Sequence, residues 1–155
     1  MTNNDVLRSL RFILNVNDAG LAEMINAGGS SVTANEVAHI LLFDSEPDYS
    51  PCDDQTMANA LDGLVYLKRG KDPSRPAPAQ EMPITNNTVL KKCRVAFELK
   101  DNDMHAILES VDFVVSKPEL SALFRKPGHK NFRPCGDQLL RNFLKGLALR
   151  EQAKK

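Results

Sequence analysis

Two cysteines in this sequence share one setting. Cys52 and Cys135 each follow a proline, Pro51 or Pro134, and each stands two residues before an Asp-Gln pair, Asp54-Gln55 or Asp137-Gln138. A thiol attacks only as its thiolate, and a helix N-terminus can lower its pKa enough to populate that form. A neighbouring aspartate acts in the opposite sense, because its charge repels the thiolate. Neither cysteine has a histidine beside it to take the proton. The residues therefore favour small, half-buried capping cysteines over a pair of nucleophiles. Cys93 occupies the position of Leu10 in the pattern below and reads as core. Metal chemistry finds no footing either. Cys52, Cys93, Cys135, His39, His105 and His129 show neither Cys-x-x-Cys nor His-x-x-x-His spacing, so neither a metal nor a cofactor is expected. With no glycine-rich phosphate loop and no nucleophile elbow, an enzyme has the least support of the readings considered.

The setting of the cysteines recurs because the chain recurs. A shift of 83 residues lays 3–67 on 86–150 without a gap. Asn3-Asn4 falls on Asn86-Asn87, Arg11 on Arg94, Asp18 on Asp101, and Cys52, Asp54, Gln55, Asn59 and Gly63 on Cys135, Asp137, Gln138, Asn142 and Gly146. The expected organisation is a first repeat over 1–70, a linker over 71–85 and a second repeat over 86–155. Pro73, Pro76, Pro78 and Pro83 make that linker extended and semi-rigid.

Each copy reads as four short helices, so the fold class expected is all-α, two tandem copies of a roughly 70-residue unit. The first helix opens at the asparagine pair, where an Asn side chain can cap the free amides. The third carries a capping box, Thr33-x-x-Glu36 or Ser116-x-x-Glu119. The fourth is expected to start with Cys52 or Cys135 as its cap, Asp54 or Asp137 facing the helix dipole and Gln55 or Gln138 reaching back to the cap. Gln55, Asn59 and Gly63, like Gln138, Asn142 and Gly146, are spaced by four and share one helix face. A mid-helix glycine costs about 1 kcal/mol relative to alanine, so its double use predicts another backbone packed against that face. A unit this small buries a thin core, and the two copies should pack together or against a partner chain.

The paired Asn-Asn-x-Val-Leu starts, the Tyr/Phe-x-Pro-Cys-x-Asp-Gln motifs and the stretch LSALFRKPGHKNFRPCGDQLLRNFLKGL resemble the YehS-like family of small bacterial proteins. The resemblance covers nearly the whole chain. It implies a cytosolic bacterial protein of two related helical units, and it brings no catalytic residue, cofactor or partner with it. The residues agree on location: the N-terminal stretch lacks the features of a signal peptide and no apolar run approaches membrane-spanning length. A cytoplasmic protein with reduced thiols and no membrane partner is expected.

A net charge of zero conceals a division. Residues 1–70 hold four Lys/Arg against ten Asp/Glu, a net of −6, and residues 86–155 hold fourteen against eight, a net of +6. The division is sharpest before the fourth helix of each copy, where Asp44, Glu46 and Asp48 in the first face Arg125, Lys126, His129, Lys130 and Arg133 in the second. Flanked by Phe124 and Phe132, the basic loop reads as a site for an anionic partner, an acidic protein surface or a nucleic acid. Two other readings stay open: it faces the acidic loop of its own chain or a neighbour, or it is a solvated charge cluster. A helix-turn-helix built from the second and third helices would present Lys117, Ser121, Arg125 and Lys126 in the second copy, but only Ala34, Asn35, Ala38 and His39 in the first. The function expected is non-enzymatic binding, through protein–protein contact or self-association, with nucleic-acid binding by the second repeat as the alternative.

Overall fold

Residues 1–154 are described by the computed structural model, and among them the chain is eight α-helices with no strand. The first repeat supplies α1 (Asn3–Leu14), α2 (Asp18–Ala27), α3 (Ala34–Ile40) and α4 (Asp54–Arg69). The second supplies α5 (Asn86–Ala96), α6 (Asp101–Glu109), α7 (Lys117–Leu123) and α8 (Asp137–Ala153). The fold is all-α, in two tandem copies.

Four helix starts, the first and the fourth of each copy, differ from the sequence reading, for one reason. α1 and α5 are capped by Thr2 and Thr85, whose hydroxyls accept from the amides of Asp5 and Thr88. That releases the asparagine pair for other bonds. Asn4 Oδ1 accepts from the Cys52 amide at 2.9 Å, and Asn87 Oδ1 from the Cys135 amide at 2.8 Å. The cysteines are thereby held in the loop, and the cap passes to the next residue. Asp53 caps α4 by accepting from the Thr56 amide at 2.7 Å, and Gly136 starts α8 without a side-chain cap. Gln55 consequently sits one place earlier than expected and bonds to Asn59 and Gln80 instead of reaching back. The boxes at Thr33/Glu36 and Ser116/Glu119 form as read.

One hydrophobic cluster spans both repeats. Leu7, Leu10, Leu21, Ile25, Met57, Leu61 and Leu64 join Leu90, Met104, Ile107, Leu108 and Phe143 among its largest fully buried members. Within the repeats α2 packs on α4 and α6 on α8; between them α4 packs on α5 and α1 on α8. The fourth helix of each copy thus meets the first helix of the other, which is the arrangement of a two-fold dimer written in one chain. The polar contacts obey the same relation. The Met1 amino nitrogen donates to Asp137 Oδ2 at 2.6 Å, and its counterpart, the Ile84 amide, donates to Asp54 Oδ2 at 3.2 Å. Lys68 Nζ lies 3.8 Å from Glu151 Oε1, and these two residues are each other's counterparts. The pseudo-axis therefore runs between them. A dimer of identical units would set like charges together there.

Candidate functional site

The loops before α4 and α8 are built identically. Asn4 Nδ2 donates to the carbonyls of Ile40 and Ser50, and Asn87 Nδ2 to those of Leu123 and Arg133, so one side-chain amide, buried in the first copy and half-buried in the second, fastens both ends of each loop. Asn3 donates to the Cys52 carbonyl and Asp54, and Asn86 to the Cys135 carbonyl and Asp137. Inside the loops the turns match as well. The amides of Glu46, Tyr49 and Ser50 bond to the carbonyls of Phe43, Glu46 and His39; those of His129, Phe132 and Arg133 bond to Lys126, His129 and Ala122. The helix-start asparagines hold the backbone, which frees the loop side chains to differ.

Those side chains differ in charge. On the basic loop Arg125, Lys126, His129 and Lys130 are exposed, Phe132 is half-buried, and His129 Nδ1 accepts from the Asn131 amide at 3.0 Å. Arg133 is drawn to Glu119 at 3.1 Å. The backbone and side chain of Ser116, with a smaller contribution from Arg133, hold the Glu119 carboxyl below its ordinary pKa. Among the described residues Arg125, Lys126 and Lys130 have no ion-pair partner. A cavity of about 560 Å³ opens beside them, lined by Pro118, Glu119, Ser121, Ala122, Arg125, Lys130, Asn131, Phe132 and Arg133, with the Glu119 carboxylate engaged by Arg133. On the acidic loop Asp44 and Asp48 are exposed and Glu46 accepts from the Phe43 amide at 2.7 Å. Among the described residues, no hydrogen bond or ion pair joins Asp44, Glu46 or Asp48 to the basic loop of the same chain. The pseudo-two-fold arrangement pairs α1 with α8 and α4 with α5. The helix-turn-helix candidates scatter in the same way. α7 has seven residues and ends at Leu123, before Arg125 and Lys126.

Cys52 and Cys135 are buried at the ends of these loops, and Cys93 is buried on α5. Burial, then Asp53 and Asp54, pushes the Cys52 thiol up to about 12. Burial and Asp137 push Cys135 to about 11, and burial alone takes Cys93 to about 12. All three are protonated at neutral pH. Among the described residues no three of His, Cys, Asp and Glu are grouped to hold a metal ion.

A second polar centre lies at the junction of the repeats, where the sequence reading placed none. Asp62, 3 % exposed, is met by Lys92 Nζ at 2.7 Å and by Gln80 Nε2 at 3.0 Å. Gln80 Nε2 also lies 2.8 Å from Asn59 Oδ1, and Asn59 Nδ2 donates to Ser30 Oγ at 2.8 Å. Residues 78–81 of the linker are thus fastened across α4, beside a cavity of about 360 Å³ that α4 and α5 complete. A signal was present: Asp62 interrupts the apolar run Leu61 to Val65, and its counterpart is Lys145. Asn142 departs from Asn59, since its Nδ2 turns to the Gln138 carbonyl and Ser30 is matched by Phe113; Gln138 is exposed. Gly63 and Gly146 mark where backbones touch. A Cβ at Gly63 would stand 1.8 Å from the Met24 carbonyl oxygen, and one at Gly146 2.3 Å from that of Ile107.

Fold and surfaces define a class of protein: a duplicated helical unit closed upon itself about a pseudo-two-fold axis. Residues 3–70 and 86–152 each match the family described as protein of unknown function (DUF1456), and the chain belongs to that family. It is similar to the uncharacterized protein YehS of Escherichia coli (strain K12), with 48% identity over 155 residues, 100% of this chain and 99% of that protein. No solved structure matches. Among the described residues no helix is long and apolar enough to cross a membrane.

Proposed function

We propose that this protein is a non-enzymatic binding module that takes an acidic protein surface on its 125–133 loop. One observation carries the reading: Arg125, Lys126 and Lys130 are exposed without ion-pair partners among the described residues, on a loop whose two ends are fixed by Asn87. A loop already held in shape loses little entropy on binding. Its cations attract an acidic surface at long range, and Phe132 and Ala122 offer apolar contact beside them. Raised thiol pKa values argue against cysteine nucleophiles, and three free, buried cysteines fit a reducing cytoplasm.

The test uses three probes: an octamer of glutamate, and mixed-sequence DNA and RNA, each at about 50 and 200 mM salt. Saturable binding of the acidic peptide, abolished by reversing Arg125, Lys126, Lys130 and Arg133 to glutamate, is the expected result. No binding at low salt overturns the reading. Tighter binding of nucleic acid that falls steeply with salt replaces it with nucleic-acid recognition. Reversing Asp44, Glu46 and Asp48 to lysine, with oligomeric state measured by light scattering, tells whether a second copy supplies the acidic surface.

A further inference from the structure

The packing of α5 on α4 and of α1 on α8 makes two equivalent junctions, of which the linker crosses one. Over α4 it shelters Ala58 and Asp62, which are 4 % and 3 % exposed, and fastens Gln80 to Asn59 and Asp62. At the other junction the counterparts of Ala58 and Asp62 are Arg141 and Lys145, both exposed. Phe12, the counterpart of Val95, is 62 % exposed. Lys92, which neutralises Asp62, is replaced by Ser9. The chain has one linker, and among the described residues Lys145 and Arg141 make no close ion pair, although the Arg141 charge acts on Asp137 one turn earlier on α8.

We propose that the junction of α1 and α8 binds an extended peptide of a partner protein, laid over it as residues 78–81 are laid over α4 and α5, with a carboxylate where the linker has Gln80. The molecule supplies its own template for the occupant. Pro78 and Ala79 line one cavity with Val95 and Leu61 at the covered junction; at the other, Phe12 stands exposed in the place of Val95, and Leu144, in the place of Leu61, is buried. The polar anchor changes sign. Asp62 accepts from the Gln80 amide, whereas Lys145 donates and has no Lys92 counterpart competing for the ligand. A carboxylate at that point answers Lys145, and Arg141, one turn earlier on α8, strengthens the attraction. A peptide from another chain also lacks the tether that keeps the linker at high effective concentration, so it needs the added charge.

The probe is a synthetic peptide of residues 74–83 carrying glutamate in place of Gln80, titrated into the isotope-labelled full chain and followed by backbone amide shifts. Saturable shifts are expected at Phe12 and over 141–148. Lys145→Glu should weaken binding about tenfold, since it removes an attraction and adds a repulsion. Lys145→Asp with Ser9→Lys recreates the covered junction and should make the unaltered glutamine peptide the better ligand. Circular dichroism checks that the substitutions at exposed Lys145 and half-buried Ser9 leave the fold intact. The proposal is overturned by an absence of saturable shifts at low salt. It is also overturned by binding that survives Lys145→Glu, or by shifts confined to Asn59 and Asp62 as the peptide displaces the linker. Reversing Arg125 and Lys126 should leave this binding unchanged, which separates it from the loop site.

Discussion

The acidic loop before α4 and the basic loop before α8 have the same backbone and opposite charge. What they share is carried by Asn4 and Asn87, each binding three main-chain groups of its loop. What separates them is carried by exposed side chains that take no part in that frame. Duplication gave the molecule two mounts of one shape, and only the side chains on them diverged. The junctions teach the same lesson a second time: Asp62 with Lys92 lies under the linker, and Lys145 with Ser9 lies open.

The comparison breaks most readily at the shared frame. Asn4 is 2 % exposed, and Asn4→Ala strands one amide and two carbonyls. A loss of about 3 kcal/mol is expected in denaturant unfolding. Asn87→Ala should cost less because its site is half-buried, and equal losses would contradict the difference drawn between the loops. Next come the glycines. Gly63→Ala drives a methyl group into the Met24 carbonyl and should cost about 2–3 kcal/mol, with Gly146→Ala milder because the Ile107 carbonyl stands farther off. The reverse order would show that α6 and α8, not α2 and α4, make the tighter contact.

The junction gives a smaller contrast. Lys92→Ala leaves Asp62 buried with Gln80 as its remaining partner, and a loss of about 2 kcal/mol is expected. Ser9→Ala, at the equivalent place in the open junction, should change stability little. The smallest effect concerns pH. The Met1 ammonium, then Asn86, holds the Asp137 carboxyl below its ordinary pKa in the folded chain. A lowered folded pKa gives stability that is complete above the unfolded value, about 4, and is lost as pH falls towards the folded one. Thermal melts should therefore drop below about pH 4, and Asp137→Asn should flatten part of that decline. An unchanged slope would show that the Met1 contact adds nothing.

Much of this was legible along the chain. The 83-residue offset, the helices of both copies and the glycine face are written in residue types whose periods or backbone needs admit few alternatives. The loop residues could be singled out for the same reason, because an aligned repeat shows where charge departs from a fixed frame. The caps were misread because Asn3, Asn4, Asn86 and Asn87 are good capping residues in isolation. Only the folded chain shows their amides satisfied by loops some 36–49 residues away. The linker's role escaped for a related cause: composition makes 71–85 extended, but cannot say which helix Gln80 crosses.

By itself, then, the sequence determined a duplicated helical unit, its apolar faces, its division of charge and the thiol setting, since each follows from neighbouring residues or from one copy laid on the other. The tertiary structure decided that α1 would meet α8 and α4 would meet α5, that among the described residues no hydrogen bond or ion pair would join the two charged loops, and that one junction would be covered while the other stayed open. Those outcomes depend on how two halves of a chain close about a common axis, and contacts between distant residues settle that closure together, not one at a time.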